Sequence, residues 1–590
     1  MAHVTLENFA ENLPSWRPDG DNHRYAVVDM GSNGIRFSVT DLAPPTARLL
    51  PPVYAERAGI SIFDALKPSG DGLILPAATI ADVASAVARF RHIAGLFGVP
   101  PEHIIVLATE GARRAANAPE LLQAIAAGGH DGDPDTPLSV RVLNPAVETL
   151  FGAVMGSRSG LVDVRRGGLF LDLGGGSVQM TWVDTNAPNY GIAAAAAGES
   201  LPYGAARLMR ILQDEPLHAQ TAAVDDLRGG FRRVYAKLCD EFPALEAIRA
   251  AHDAGHDAPV DAYLCGGGFR GYGSMLMFCD DDISPYPISS VNTYSAPGSL
   301  FARAAEMGRV NDKHDGSIFG LSKRRRRQFP AIVAVVEALI AAVPNIGRAT
   351  FCGGSNRQGV LMMMLPPQVR ESDPLHVLSA VSTSETAFFE AAVRLLSTAL
   401  PPNIASSATP TVLSLGLGPL LIRESWRRAG QGADTNSVFA LHDSVIRDPD
   451  CPGLTHLARA VLGLSVCARW GGGFGPAEAP LFRGLCAVAD SHAKDASFWA
   501  LYLGAVVAIM TAVFPVMPKE QNLLPAAIRF DPKIVTAGHK DKRDKIVLTI
   551  GLAPAYAKDT EAVVDEFEST MSKKGNKSAL KVVAQVVPFS

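Results

Sequence analysis

One short unit occurs twice in this chain and limits what it can fold into. The apolar run 25–30 carries an aspartate near its end and opens into the turn Asp29-Met30-Gly31-Ser32-Asn33-Gly34; about 140 residues later the run 168–172 opens into Asp172-Leu173-Gly174-Gly175-Gly176-Ser177. A second apolar stretch follows each turn, 35–42 in the first copy and 178–183 in the second, so both read as strand–turn–strand. Glycines in such turns let backbone N–H groups point into a concavity that no Cβ obstructs, which suits phosphate oxygens. Ser32, Asn33 and Ser177 add donors. Asp29 and Asp172 would repel a phosphate, so their chemistry is to hold a metal ion or to orient a water beside it. A single turn of this kind is an ordinary hairpin. Two, each following an apolar strand, predict two similar lobes facing one another across a cleft that binds a phosphate chain.

The surroundings of the turns read as α/β. Helix-periodic segments at 80–97 and 111–126 alternate with strands at 104–108 and 138–142, and a helix begins at Ala146. After the second turn, helices at 203–212 and 224–238 precede a strand, 262–265, that runs into Gly266-Gly267-Gly268. This alternation predicts mostly parallel sheets. Beyond Met364 the pattern changes to alanine- and leucine-rich helices over 375–515, then strands within 526–554 and 580–588. At 590 residues the chain exceeds a single core. The expected division is an N-terminal extension at 1–24, lobes at 25–158 and 159–368, and a mainly helical C-terminal domain at 369–590.

Charge and cysteines narrow the partners. A net charge of −5 supplies no whole-protein field for nucleic acid, so no direct nucleic-acid partner is expected. The seven cysteines are scattered with no Cys-x-x-Cys pair, which fits a reducing, cytoplasmic setting. The N-terminus has no apolar run of the signal-peptide kind. Residues 496–518 carry no charge; their serine, threonine, alanines and Pro515 favour a buried core helix over a membrane span.

The strings VVDMGSNGIRF, LATEGARRAAN, LFLDLGGGSVQM, LCGGGFRGYGSM and CGGSNRQGVL, in that order over residues 24–365, make the chain resemble the exopolyphosphatase/guanosine-pentaphosphate phosphatase (Ppx/GppA) family. The resemblance implies the two-lobed α/β fold of the actin, heat-shock-70 chaperone and sugar-kinase (ASKHA, ribonuclease H-like) superfamily. The length and C-terminal half look like a fungal branch that signals mitochondrial state to the nucleus. It also implies roles for individual residues. Glu148 matches a catalytic base that draws a proton from water, although Val147 and Leu150 depart from the family's Glu and Arg on either side. Asp172 matches the turn aspartate, and Gly266 and Gly267 the nucleotide-side turn. Arg113 matches an arginine able to clamp phosphate bidentately. Gln179 stands where the family has a metal-binding Glu, so a Mg²⁺ site of Asp29, Asp172 and Gln179 is expected to be weakened. Arg36 replaces a frequent His, with no role assigned. The basic run 323–327 reads as a helix start with some phosphate contact, in preference to a nuclear-import signal. In the C-terminal domain the segment 416–424, which should carry a His-Asp phosphohydrolase ligand string, has no His, and His442-Asp443 is an isolated pair. This domain reads as a degenerate interaction module.

Three functions follow as expectations. The first is a sensor that binds polyphosphate or an ATP/GTP-type nucleotide and thereby changes its affinity for a regulatory protein partner. The second is a Mg²⁺-dependent phosphohydrolase acting on polyphosphate or guanosine polyphosphates, with Glu148 as base, Asp29 and Asp172 at the metal, and Arg113 with the turn amides stabilising charge. A kinase of the same superfamily is less favoured, because no second-substrate pocket is read. No membrane partner is expected. The family resemblance implies a homodimer, with no segment assigned to it.

Overall fold

Each glycine turn folds as the tip of an antiparallel hairpin, and each hairpin is the centre of a six-stranded sheet in the computed structural model. The structure describes residues 2–589 except 33, 71, 128–137, 165, 428–432, 448–450, 537–543, 557–559 and 573–579. The first lobe is built on β1 (Arg24–Gly31), β2 (Gly34–Asp41), β3 (Pro52–Ala58), β4 (Ile104–Ala108) and β5 (Val140–Leu143), arranged β3-β2-β1-β4-β5. The second repeats that order with β6 (Gly168–Leu173), β7 (Val178–Val183), β8 (Glu199–Leu201), β9 (Val260–Cys265) and β10 (Ile346–Phe351), arranged β8-β7-β6-β9-β10. In both sheets the first three strands meander antiparallel, while the first, fourth and fifth run parallel. The sheets are therefore mixed. Helical alternation predicted parallel pairing, but a tight turn can join only antiparallel neighbours. The same five-strand order thus occurs in both lobes, as the repeated turn predicted. The inner strands are buried almost end to end, as sheets covered on both faces require.

Local differences have local causes. The helix expected over 111–126 is two, Glu110–Arg114 and Ala118–Ala126. Pro119, in the first turn of the second, has no N–H to bond back to Ala115 O and continue one helix, and Ala115 bridges to Leu73 instead. The N-terminal residues are part of the first lobe. Ala2–Val4 pairs parallel with β5, Phe9 meets the edge of Phe151 at 6.1 Å, and Trp16 Nε1 donates to Leu42 O at 2.9 Å.

In the second lobe, helix Leu217–Glu241 buries Leu227, Phe231, Val234 and Leu238. Its Gly229 faces outward; an added Cβ would meet only the Arg233 tip, at 3.7 Å. Gly229→Ala is expected to stabilise the protein by about 0.5–1 kcal/mol, seen as a higher urea midpoint, because alanine loses less backbone freedom in a helix.

The chain divides into two compact units. One holds both lobes, residues 1–279 and 290–372; the other holds Asp280–Ser289 and Asp373–Ser590. Helix Ala496–Val513, long and apolar enough to cross a membrane, is mostly buried in the second unit. Gly504 lets it approach helix His456–Arg469 closely, since a Cβ there would lie 2.0 Å from Ser465 O. Three strands, Ile528–Val535, Lys545–Leu552 and Lys581–Pro588, pair antiparallel and then parallel, with helix Thr560–Ser572 making the crossover.

Candidate functional site

The second turn owes its shape to the helix beside it. Gly204 N donates to Gly176 O, Ala205 N to Gly174 O, and Ala206 N and Arg207 N to Gly175 O, at 2.9–3.0 Å. The turn carbonyls thus satisfy the first amides of helix Ala205–Asp214. In a planar trans peptide the N–H points opposite the C=O. The N–H groups of Gly175, Gly176 and Ser177 therefore turn away from that helix, and all three residues line the cleft. Gly204 makes this packing possible, because a Cβ there would lie 2.4 Å from Gly176 N and Ser177 N.

In the first lobe Gly31, Ser32 and Gly34 line the same cavity, while Asn33 lies outside the described residues. Ser32 O accepts from Phe63 N at 3.1 Å and from Ser61 Oγ at 3.0 Å. The two hairpins share one register: Asp29 is opposite Arg36 and Asp172 is opposite Gln179. Gly266 and Gly267 open helix Gly266–Phe278, whose N-terminus also lines the cleft and is suited to an anion. Gly266 sits at φ +88°, and a Cβ there would be 2.2 Å from Asp172 Oδ1.

Three carboxylates face this cavity of about 130 Å³. Glu148 ends helix Pro145–Glu148, which Asn144 caps by accepting from Val147 N at 2.8 Å. A buried π-helix, Thr149–Gly156, follows; such widened turns are frequent at functional sites. Its Gly152 packs where a Cβ would be 2.7 Å from Asp172 Oδ2 and 2.9 Å from Asn356 Oδ1. Burial pushes Glu148 up to about 7, against the pull of the Arg113 cation. Burial also raises Asp29 and Asp172. Arg36 and Arg357 oppose that rise at Asp29, and Arg270 and Arg36 oppose it at Asp172.

Arg113 is not placed to clamp phosphate. Its Nη2 donates to Glu148 Oε2 at 2.8 Å and its Nη1 to Leu143 O at 2.6 Å, and it is absent from the cavity lining. It positions Glu148. Gln179 is also absent from the lining. It is 2% exposed, and its Nε2 donates to Ser177 Oγ at 2.8 Å and Ser200 Oγ at 3.2 Å. Among the described residues no three His, Cys, Asp or Glu side chains gather where they could hold a metal ion. With Gln179 turned to serines and arginines beside both aspartates, these residues do not fit a Mg²⁺ site built from Asp29, Asp172 and Gln179.

The cations are the part that sequence reasoning underweighted. Arg36, Arg57, Arg270, Arg324 and Arg325 line the cavity, five against its three carboxylates. Arg324 and Arg325 come from the basic run, which forms helix Lys323–Arg327 capped by Ser322. Arg324 also crosses to the first lobe, with Nη2 2.7 Å from Asp64 Oδ2. Arg270 Nη1 donates toward the Cys352, Gly353 and Gly354 carbonyls at 3.2–3.4 Å. Arg270 and Arg357 stand within the quoted motif strings; the signal is an arginine two or three residues beyond a glycine turn. In the second unit His442 is exposed, and Asp443 pairs with Arg447 at 2.7 Å.

Comparison with known proteins adds three findings. Residues 42–256 match the Ppx/GppA phosphatase family, and residues 373–582 match the RTG2 C-terminal domain. The chain is 30% identical over 509 residues to retrograde regulation protein 2 of Saccharomyces cerevisiae, covering 83% of this chain and 80% of that protein. Similar solved structures include the type II variant of the Aquifex aeolicus Ppx/GppA phosphatase, at 17% identity and TM-score 0.42, covering 58% of this chain and 99% of that one. An exopolyphosphatase from Cytophaga hutchinsonii is 18% identical with TM-score 0.41, covering 58% of this chain and 97% of that one.

Proposed function

This chain belongs to the Ppx/GppA phosphatase family, and we propose that its cleft takes up a phosphate chain, as linear polyphosphate or an ATP- or GTP-type nucleotide, and so changes its affinity for a regulatory protein partner. The observation that supports this reading is the cleft's charge. Five arginines outnumber three carboxylates around two glycine turns, in a protein whose net charge is −5. Positive charge concentrated against the overall sign favours a polyanion. The name of the yeast relative and the matching C-terminal domain support a role in retrograde regulation, and scattered cysteines with no Cys-x-x-Cys pair fit a cytoplasmic setting. The ligand would act by binding one arrangement of the lobes better than another, which is the only way it can shift an equilibrium. Calorimetric titration with tripolyphosphate, ATP and GTP tests the proposal. Saturable binding of at least one is expected, and failure of all three to bind contradicts it.

A second reading, slow phosphohydrolysis, is favoured by one observation: Glu148 lines the cavity, is held by Arg113, and is pushed up to about 7 by burial. A general base works in its deprotonated form. Phosphate release from tripolyphosphate should therefore rise with pH through about 7 and level off above it. Glu148→Gln should abolish release while leaving tripolyphosphate binding in place. Equal release by both proteins rejects the reading.

A further inference from the structure

We propose that the cleft holds its phosphate ligand with fixed guanidinium groups in place of a divalent metal ion, Arg36 and Arg270 supplying the positive charge beside Asp29 and Asp172. This rests on the phosphate-binding reading above and states how that binding is done.

The hairpin register supplies the first argument. The residues directly across from the two strand aspartates occupy equivalent positions in the two lobes, and neither is acidic: one is Arg36 and the other Gln179. Arg36 lies within electrostatic reach of Asp29, Asp172, Arg270, Arg357 and Arg325. It is the common cationic neighbour of both aspartates, where two carboxylates would otherwise share a metal ion. A divalent cation brought there would meet three guanidinium groups.

The cluster's own charge points the same way. Burial and the cations around it pull Arg36 below its ordinary value, and burial does the same to Arg325. A guanidinium keeps its proton under such pressure, so the relief available is an anion. Planar guanidinium forks match phosphate oxygens, and helix N-termini at Gly266 and Asn356 add dipoles of the same sign.

A third argument lies in two orphaned oxygens. Asp29 Oδ1 and Asn356 Oδ1 are buried without a protein donor. Both residues line the cavity, so a bound ligand or its water must supply the donors they lack.

The test is titration of tripolyphosphate into the full chain in EDTA and, separately, in excess Mg²⁺. Affinity in EDTA should equal or exceed that in Mg²⁺. Affinity at least about tenfold weaker in EDTA overturns this inference and leaves the phosphate-binding reading standing. Absence of binding in both arms removes that reading, and this inference with it. Arg36→Gln should weaken binding in EDTA by about tenfold or more, the loss of a charge-assisted hydrogen bond. Arg57→Gln, at the exposed side of the cavity, guards against a folding defect and should weaken binding severalfold with its melting temperature unchanged. Wild-type affinity in both variants contradicts the inference.

Discussion

Gly204→Ala is expected to weaken tripolyphosphate binding at least about 100-fold, the equivalent of losing two charge-assisted hydrogen bonds. The backbone itself tolerates the change, because Gly204 sits at φ −68° and ψ 160°, where any residue is at ease. The fault is steric. A Cβ at this point lies 2.4 Å from Gly175 C, Gly176 N and Ser177 N, all backbone atoms with no side chain to swing aside. Turn and helix must separate, and the bonds from residues 204–207 to the Gly174, Gly175 and Gly176 carbonyls stretch together. Overpacking of this kind costs about 1–3 kcal/mol in stability. The turn N–H groups lose their aim because the peptide planes that set it have rotated. Paired titration and thermal unfolding check the prediction. Wild-type affinity in a folded Gly204→Ala protein would mean that this turn does not hold the ligand.

The second large effect lies in the other unit. Arg459 is 2% exposed; its Nε donates to Leu454 O at 2.9 Å and its Nη1 to Ser444 O at 3.2 Å and Arg447 O at 2.8 Å. The last two carbonyls belong to the end of helix Ala433–Ile446 and the residue after it, where no further helical turn can satisfy them. Arg459→Ala leaves these groups without that donor and opens a void beside Leu454, at an expected cost of about 3–5 kcal/mol. Arg459→Lys should recover only part of this, since one ammonium cannot span three carbonyls as a planar fork does. Urea unfolding followed by circular dichroism reads both, and an unchanged midpoint for Arg459→Ala would contradict the assigned role.

What could be read from the chain was what has a local cause. The glycine turns sit between apolar runs, and the hairpins follow from neighbouring residues alone, so Asp29, Asp172 and the turn glycines are found at the cleft. Glu148 was reached through its motif, and it too lines the cavity. Strand order could not be read, since nothing local says that Ala2–Val4 pairs with β5. The place of Arg113 could not be read for a similar reason. Its guanidinium is drawn to Leu143 O and Glu148, partners more than 25 residues away that only the folded lobe brings near. Gln179 reads as a replaced carboxylate through the family resemblance, but its turn toward Ser177 and Ser200 depends on β8 lying beside β7. The excess of arginines could not be read, because its members come from four separate elements: β2, β3, and helices Gly266–Phe278 and Lys323–Arg327. Only the last reads as touching phosphate; the others look like ordinary charges until the cleft assembles.

The central claim is that amides of the two glycine turns hold a phosphate chain. Hydrogen exchange of the whole protein, with and without saturating tripolyphosphate, tests it most directly. The account predicts slowed exchange in peptides covering 29–36 and 172–179, with the Gly175, Gly176 and Ser177 amides most protected. Unchanged exchange in both turns under saturating ligand, with protection appearing instead around Arg423, Arg427 and Arg447 of the second unit, would contradict it.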